Sequence, residues 1–230
     1  ASTMKKNFLL LLMLVGLGVA SCANNEPNEL TQEIDQTDYY GMKYEFDQNG
    51  FCSNVLTSSF KQEYFASKIA GKVWSKDRIN IHEILADGSV SSQTFGEHTM
   101  GIAMTYHLIK FDVQNCKMTT CAYFPTPIEG LQTYETEYST NEQYHAVVLN
   151  ESAFGGENDL RSYPFIQILK YENSKNGESF TAIYRAASRL KPVAEGEPLD
   201  KSLIEDIFCI ATFHRVSDKE WNEAIEKAIN

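Results

Sequence analysis

The chain has 230 residues, room for one domain or for one domain with appendages. Charged residues make up 22% and hydrophobic residues 43%, a globular balance that excludes wholesale disorder. Asp and Glu outnumber Lys and Arg by 31 to 20, and the resulting −11 leaves no basic footprint for a nucleic acid.

Ala1-Ser2-Thr3 precede Met4, the expected initiator, and stand outside the reading. Lys5-Lys6 then opens an apolar run from Phe8 to Ala20. That run is too short for a bilayer span of about 20 residues and fits the core of a signal peptide. Val19-Ala20-Ser21-Cys22 follows, and small residues before a cysteine resemble the lipobox of bacterial lipoproteins. The resemblance implies cleavage before Cys22, diacylation of its sulfur and acylation of the new amino group. Residues 1–22 are thus expected to be leader and lipid attachment site, tethering the rest to a membrane by more than one acyl chain. Losing Lys5 and Lys6 makes the chain two units more negative than −11, so the domain should stand off anionic headgroups. Residues 23–38 are polar and acidic and read as a flexible stalk. Ala23, by the sorting rule known for such lipoproteins, implies the outer membrane.

Residues 39–230 read as one domain. Tyr39, Tyr40, Tyr44 and Phe46 lie close together after the stalk and either pair as a strand at an edge or cover a mouth. A short helix is predicted next. Thr57-Ser58-Ser59 offers caps, Ser59 and Gln62 fit a capping box, Phe60, Tyr64, Phe65 and Ile69 share a side, and Gly71 ends it. From Trp74 onward the period is two. Ile79 and Ile81 alternate, Asp87-Gly88 signals a hairpin before Val90, and strands are expected over 104–114, 118–124, 133–138 and 145–150. Two more, 165–171 and 180–186, flank Asn176-Gly177, and 207–216 is the last. Loops are expected at 152–163 and 192–198. Eight or nine short strands predict an all-β antiparallel barrel or sandwich. Ser217 and Glu220 form a capping box, with Val216 and Trp221 at the staple positions. Trp221, Ala224, Ile225, Ala228 and Ile229 give the following C-terminal helix one apolar face.

Cys52, Cys116, Cys121 and Cys209 remain after Cys22, and a disulfide-permissive compartment lets them pair in three ways or stay as buried thiols. A bridge between Cys116 and Cys121 would be easy but would close a tiny loop. The usual local signatures of hydrolases, zinc proteases, P-loops and dinucleotide sites are not in the sequence. His82 and Glu83 share a strand and point to opposite faces. His98, His107, His145 and His214 are scattered, and Glu135 with Glu137 reads as the polar face of a strand. No catalytic residue, metal site or cofactor is assigned, and the chain is not read as an enzyme.

A helix ending at Gly71, Lys72-Val73-Trp74 opening the first strand, about eight antiparallel strands and a C-terminal helix resemble a lipocalin-like lipoprotein over residues 57–230. The family opens its first strand with Gly-x-Trp, where this chain has Gly-x-x-Trp, and the family's central Thr-Asp-Tyr is missing here. The resemblance implies that Arg215, after the last strand, stacks on Trp74. It also implies a barrel holding one small ligand, here an apolar one. The inward wall would come from Ile79, Ile81, Ile109, Phe111, Val148 and Phe213, or from their alternates, with Trp74 on the floor. The alternative is a filled β-domain that docks onto another envelope protein or an extracellular polymer through exposed aromatics such as its tyrosines.

Overall fold

The structure, a computed structural model, describes residues 37–54, 62–77, 79–95, 107–124, 130–150, 165–190 and 204–228. All but Thr37 belong to the unit Asp38–Asn230. Cys22, most of the stalk, the capping residues Thr57 to Ser59 and the loops expected at 152–163 and 192–198 lie outside the described residues.

Helix α1 (Gln62–Lys68) leads through Gly71, which has φ +75°, into β1 (Val73–Lys76). The hairpin β2 (Ile81–Ile84) and β3 (Val90–Phe95) comes next. An up-and-down run follows: β4 (Leu108–Asp112), β5 (Lys117–Phe124), β6 (Gly130–Asn141), β7 (Ala146–Leu149), β8 (Phe165–Ser174), β9 (Gly177–Leu190) and β10 (Ile204–Val216). Helix α2 (Asp218–Lys227) ends the described chain.

Pairing is antiparallel throughout, and β1 meets both β4 and β10, so eight strands close into a barrel. The sandwich alternative falls. Closure turns on the length of β10. One of its edges pairs with β9 from Ile204 to His214. The other is shared, Phe208 to Ile210 with β2 and Phe213 to Val216 with β1. The β2–β3 hairpin therefore lies outside the closed ring. It brings the described strands to ten, where eight or nine were expected.

Short-range chemistry sets the turns. Asp112 Oδ1 accepts from the Gln114 and Asn115 amides at 2.9 and 3.2 Å, turning β4 into β5. Gly177, φ +105°, closes the β8–β9 hairpin after Asn176. Asp77 Oδ1 likewise accepts from the Ile79 and Asn80 amides, which pulls Ile79 out of any strand and leaves it 62% exposed. The expected inward role of Ile79 is therefore corrected.

Period two then sorts the walls. Trp74, Ile109, Phe111, Met118, Phe180, Ala182, Tyr184, Ala211 and Phe213 form one interior cluster, and Phe65 and Ile69 of the α1 segment join it. Outside, α2 lays Trp221, Ala224 and Ile225 against Leu108 and Cys121. Another part of the outer wall is covered by a strap, residues 38–54, whose Tyr39, Tyr44 and Cys52 pack on Leu169, Ile183 and Ile210. The early aromatics thus cover the outer wall of the sheet, neither its edge nor a mouth. Cys52, Cys116, Cys121 and Cys209 are all thiols. Cys52 is on the buried side of the strap, Cys121 lies under α2 and Cys209 in the interior, while Cys116, expected to be paired or buried, is exposed in the β4–β5 turn.

Candidate ligand site

The interior is unevenly filled. Near α1 it is a lattice of rings. Phe65 meets Phe111 and Tyr138 edge-on at 5.2 and 5.9 Å, Trp74 meets Phe180 at 4.9 Å, and Phe180 stacks on Phe213 at 4.6 Å. Trp74 is fully buried and its indole N–H donates to the Ile69 carbonyl at 2.8 Å, so the helix end and the barrel floor are one packed unit. Farther along β9 and β10, the inward positions are smaller at Ala182, Ala211 and Cys209 and large again at Tyr184 and Ile207. Thr120 on β5 and Thr136 on β6 are also buried.

Of the residues expected to line a ligand, Trp74, Ile81, Ile109, Phe111 and Phe213 all fall in the interior cluster with 0% exposure. Val148 does not. It is half-buried, and its neighbours Val147 and Leu149 occupy the interior, so here the alternates hold. The phase is set by the tight turn before β7, where His145 sits at φ +51°. Ile81 belongs to β2, outside the closed ring, and reaches the interior set beside β10.

Arg215 stands directly opposite Trp74 in the β1–β10 ladder. Its guanidinium goes to the Glu178 carboxylate, while the Trp74 ring meets Phe180. Ser217 caps α2 as expected, with its side chain and that of Glu220 in a reciprocal capping box. Trp221 is half-buried, with the Lys110 ammonium 6.0 Å from its ring centroid. Glu135 and Glu137 are exposed, and Glu135 pairs with Lys117 at 2.5 Å, as a polar strand face would.

Two features were not singled out by sequence reasoning. Lys76 is 1% exposed, follows Trp74 at the next inward position of β1 and holds its ammonium 5.1 Å from the Tyr184 ring centroid. Parity with Trp74 was a signal for it. Burial pushes the nearby Cys209 thiol up to about 12, with the Lys76 ammonium pulling the other way, so this sulfur is a packing group rather than a nucleophile.

The second feature lies at the α1 end. Glu178 accepts from Lys72 Nζ and Tyr171 Oη at 2.5 Å each and from Arg215 Nη1. Burial pushes its carboxyl up, but these three donors outweigh it and hold it down at about 2. The contribution of this ionised carboxylate to stability is full above the unfolded glutamate range and is lost as pH falls toward about 2. A thermal melt series across that window should show the fall, and Glu178→Gln should flatten it. Beside the cluster opens a cleft of about 720 Å³, lined by Gly71 to Val73, Asn173, Gly177, Glu178 and Arg215 to Asp218.

No family model matches the chain, and neither a curated protein nor a solved structure matches it.

Proposed function

We propose that this chain is a lipid-anchored lipoprotein of the cell envelope, lipocalin-like, whose barrel takes one small apolar ligand. The ligand enters from the end away from α1. The observation that carries this reading is the asymmetry of the closed barrel. One end is plugged by α1 and a lattice of rings, while beyond it the small residues Ala182, Ala211, Cys209 and Thr120 stand among fewer large ones, Tyr184, Lys76 and Ile207. An eight-stranded barrel has an interior of the size that holds one small molecule. The lipobox supports the anchor at Cys22 and the residue after it supports the outer membrane. A Cys22→Ser chain should leave the membrane fraction.

A second reading rests on the same rings. Dense aromatic filling also suits a solid domain that docks onto another envelope protein or an extracellular polymer. A melting series with 1-dodecanol separates the two. Under the first reading the melting temperature climbs with alcohol concentration as ligand linkage requires. Under that reading Ala211→Trp, which fills the interior, abolishes the climb. A flat series for a folded chain overturns the first reading and leaves the second.

A further inference from the structure

We propose that the cleft at the α1 end of the barrel is a second site, separate from the interior, that binds a small oxyanion, a carboxylate or phosphate group, through Arg215 and Lys72. The half-buried carboxylate in its wall, Glu178, is already taken. Both oxygens of Glu178 are engaged, Oε1 by Lys72 and Tyr171 and Oε2 by Arg215, so a cationic ligand would have to displace an existing partner. The other carboxylates close by face solvent or the α2 cap. Asp218 lies 81% exposed with Lys110 Nζ at 3.7 Å, and Glu220 accepts from the Ser217 amide and hydroxyl inside the α2 cap.

The donors are in the opposite state. Arg215 is half-exposed at 51%, and among the described residues its guanidinium uses Nη1 alone. That leaves Nε and Nη2 of a planar fork whose geometry matches a carboxylate or phosphate edge. Lys72 gives one N–H to Glu178 and rests its ammonium 5.7 Å from the Tyr171 ring, and among the described residues its other two N–H donors stay available. Asn173 adds an amide on the same wall. The volume of about 720 Å³ suits a small metabolite rather than a lone ion. The chain as a whole is acidic at −11, so anions are repelled in general and any that bind tightly must find a local site such as this one.

The test is an NMR titration of the full chain in detergent with sodium succinate and, separately, sodium phosphate, with sodium chloride as the ionic-strength control. Saturable shifts at the Asn173 side-chain amide and Arg215 Nε are expected, and which salt saturates first tells a planar from a tetrahedral group. Arg215→Gln should weaken binding by about tenfold, the loss of one charge-assisted fork. Glu178→Gln should tighten it several-fold, because the carboxylate competing for both cations is gone; a purely structural cluster predicts no such gain. Asn173→Leu, outside the ion cluster, keeps the test readable if either of the others fails to fold, and should weaken binding by about threefold. Shifts that rise linearly and match those of chloride overturn the proposal. So does a folded Glu178→Gln chain that binds no more tightly than the parent.

Discussion

Helix α2 and the strap 38–54 cover different parts of the barrel's outer wall and are held by different means. None of the described residues of α2 is fully buried; Trp221, Ala224 and Ile225 rest half-exposed on Leu108 and Cys121. Among the described residues the strap has one isolated bridge, Phe46 to Cys52, yet it buries Tyr39, Tyr44 and Cys52 to 5% exposure or less. A helix satisfies its own backbone, so apolar contact is enough to dock it. A segment without regular structure must find other partners for its amides and carbonyls. Some are met within the strap, as where the Asp47 amide donates to Phe51 O and the Ser53 amide to Glu45 O, and the barrel supplies those of Cys52. Fully buried Gln167 accepts from the Cys52 amide at 2.9 Å and donates to the Cys52 carbonyl at 2.8 Å. Tyr39 Oη donates to the Leu169 carbonyl at 3.2 Å, Tyr44 Oη donates to the Tyr39 carbonyl, and the Tyr44 amide donates to Gly88 O at 2.8 Å.

The strap should therefore fail in an all-or-none way and the helix by degrees. The largest effect is expected at Gln167→Ala, which takes the Gln167 partner from both the amide and the carbonyl of buried Cys52. Unsatisfied buried groups cost about 1–3 kcal/mol each, so a loss of about 2–4 kcal/mol is expected in a denaturant melt. Hydrogen exchange should show the amides of 44–54 losing protection together. If the chain loses less than about 1 kcal/mol, water has replaced the side chain and the strap is not held by its polar clamp.

Trp221→Ala comes second. It removes the largest apolar group of α2 and the Lys110 contact, but from a half-exposed position, so about 1–2 kcal/mol is expected. Exchange should rise within α2 and stay unchanged under the strap. Release of the strap amides in this variant would mean that the two coverings are coupled through the barrel, and the contrast between them would not stand.

The same contrast explains how much was legible in the sequence. The α2 signals are local. Ser217 and Glu220 lie three apart, and the apolar face repeats at helical spacing, so cap and face could be read directly. The strands were legible for the same reason, through Asp87-Gly88 in the outlying hairpin, Asn176-Gly177 in the barrel and period two. The strap was visible only as a cluster of tyrosines. Its clamp, Gln167, lies 115 residues away from Cys52 and carries no sign of its role. The Glu178 cluster joins β8, β9, β10 and the entry to β1, and only closure of the ring brings those segments together. Val148 shows a third kind of limit. In β7 Ala146, Val147 and Leu149 are all buried, so hydrophobicity gives no phase, and the preceding turn decides which valine faces inward.

Ser217→Ala is expected to have the smallest effect and to be the cleanest check on the helix. The Ser217 hydroxyl accepts from the Glu220 amide at 3.3 Å, and Glu220 returns to the Ser217 amide at 2.8 Å. Removing the hydroxyl leaves the reciprocal half of the box in place, so about 1 kcal/mol should be lost, and Ser217→Gly should lose only a few tenths. Because the cap is solvent-exposed, water can replace what the hydroxyl gave, which sets this loss below those of a buried clamp and a large apolar contact. The fraying should be confined to the first turn of α2. A loss as large as that of Gln167→Ala would mean that the helix start bears on the neighbouring Arg215–Glu178 pair, and α2 would then belong to the closure of the barrel rather than to its covering.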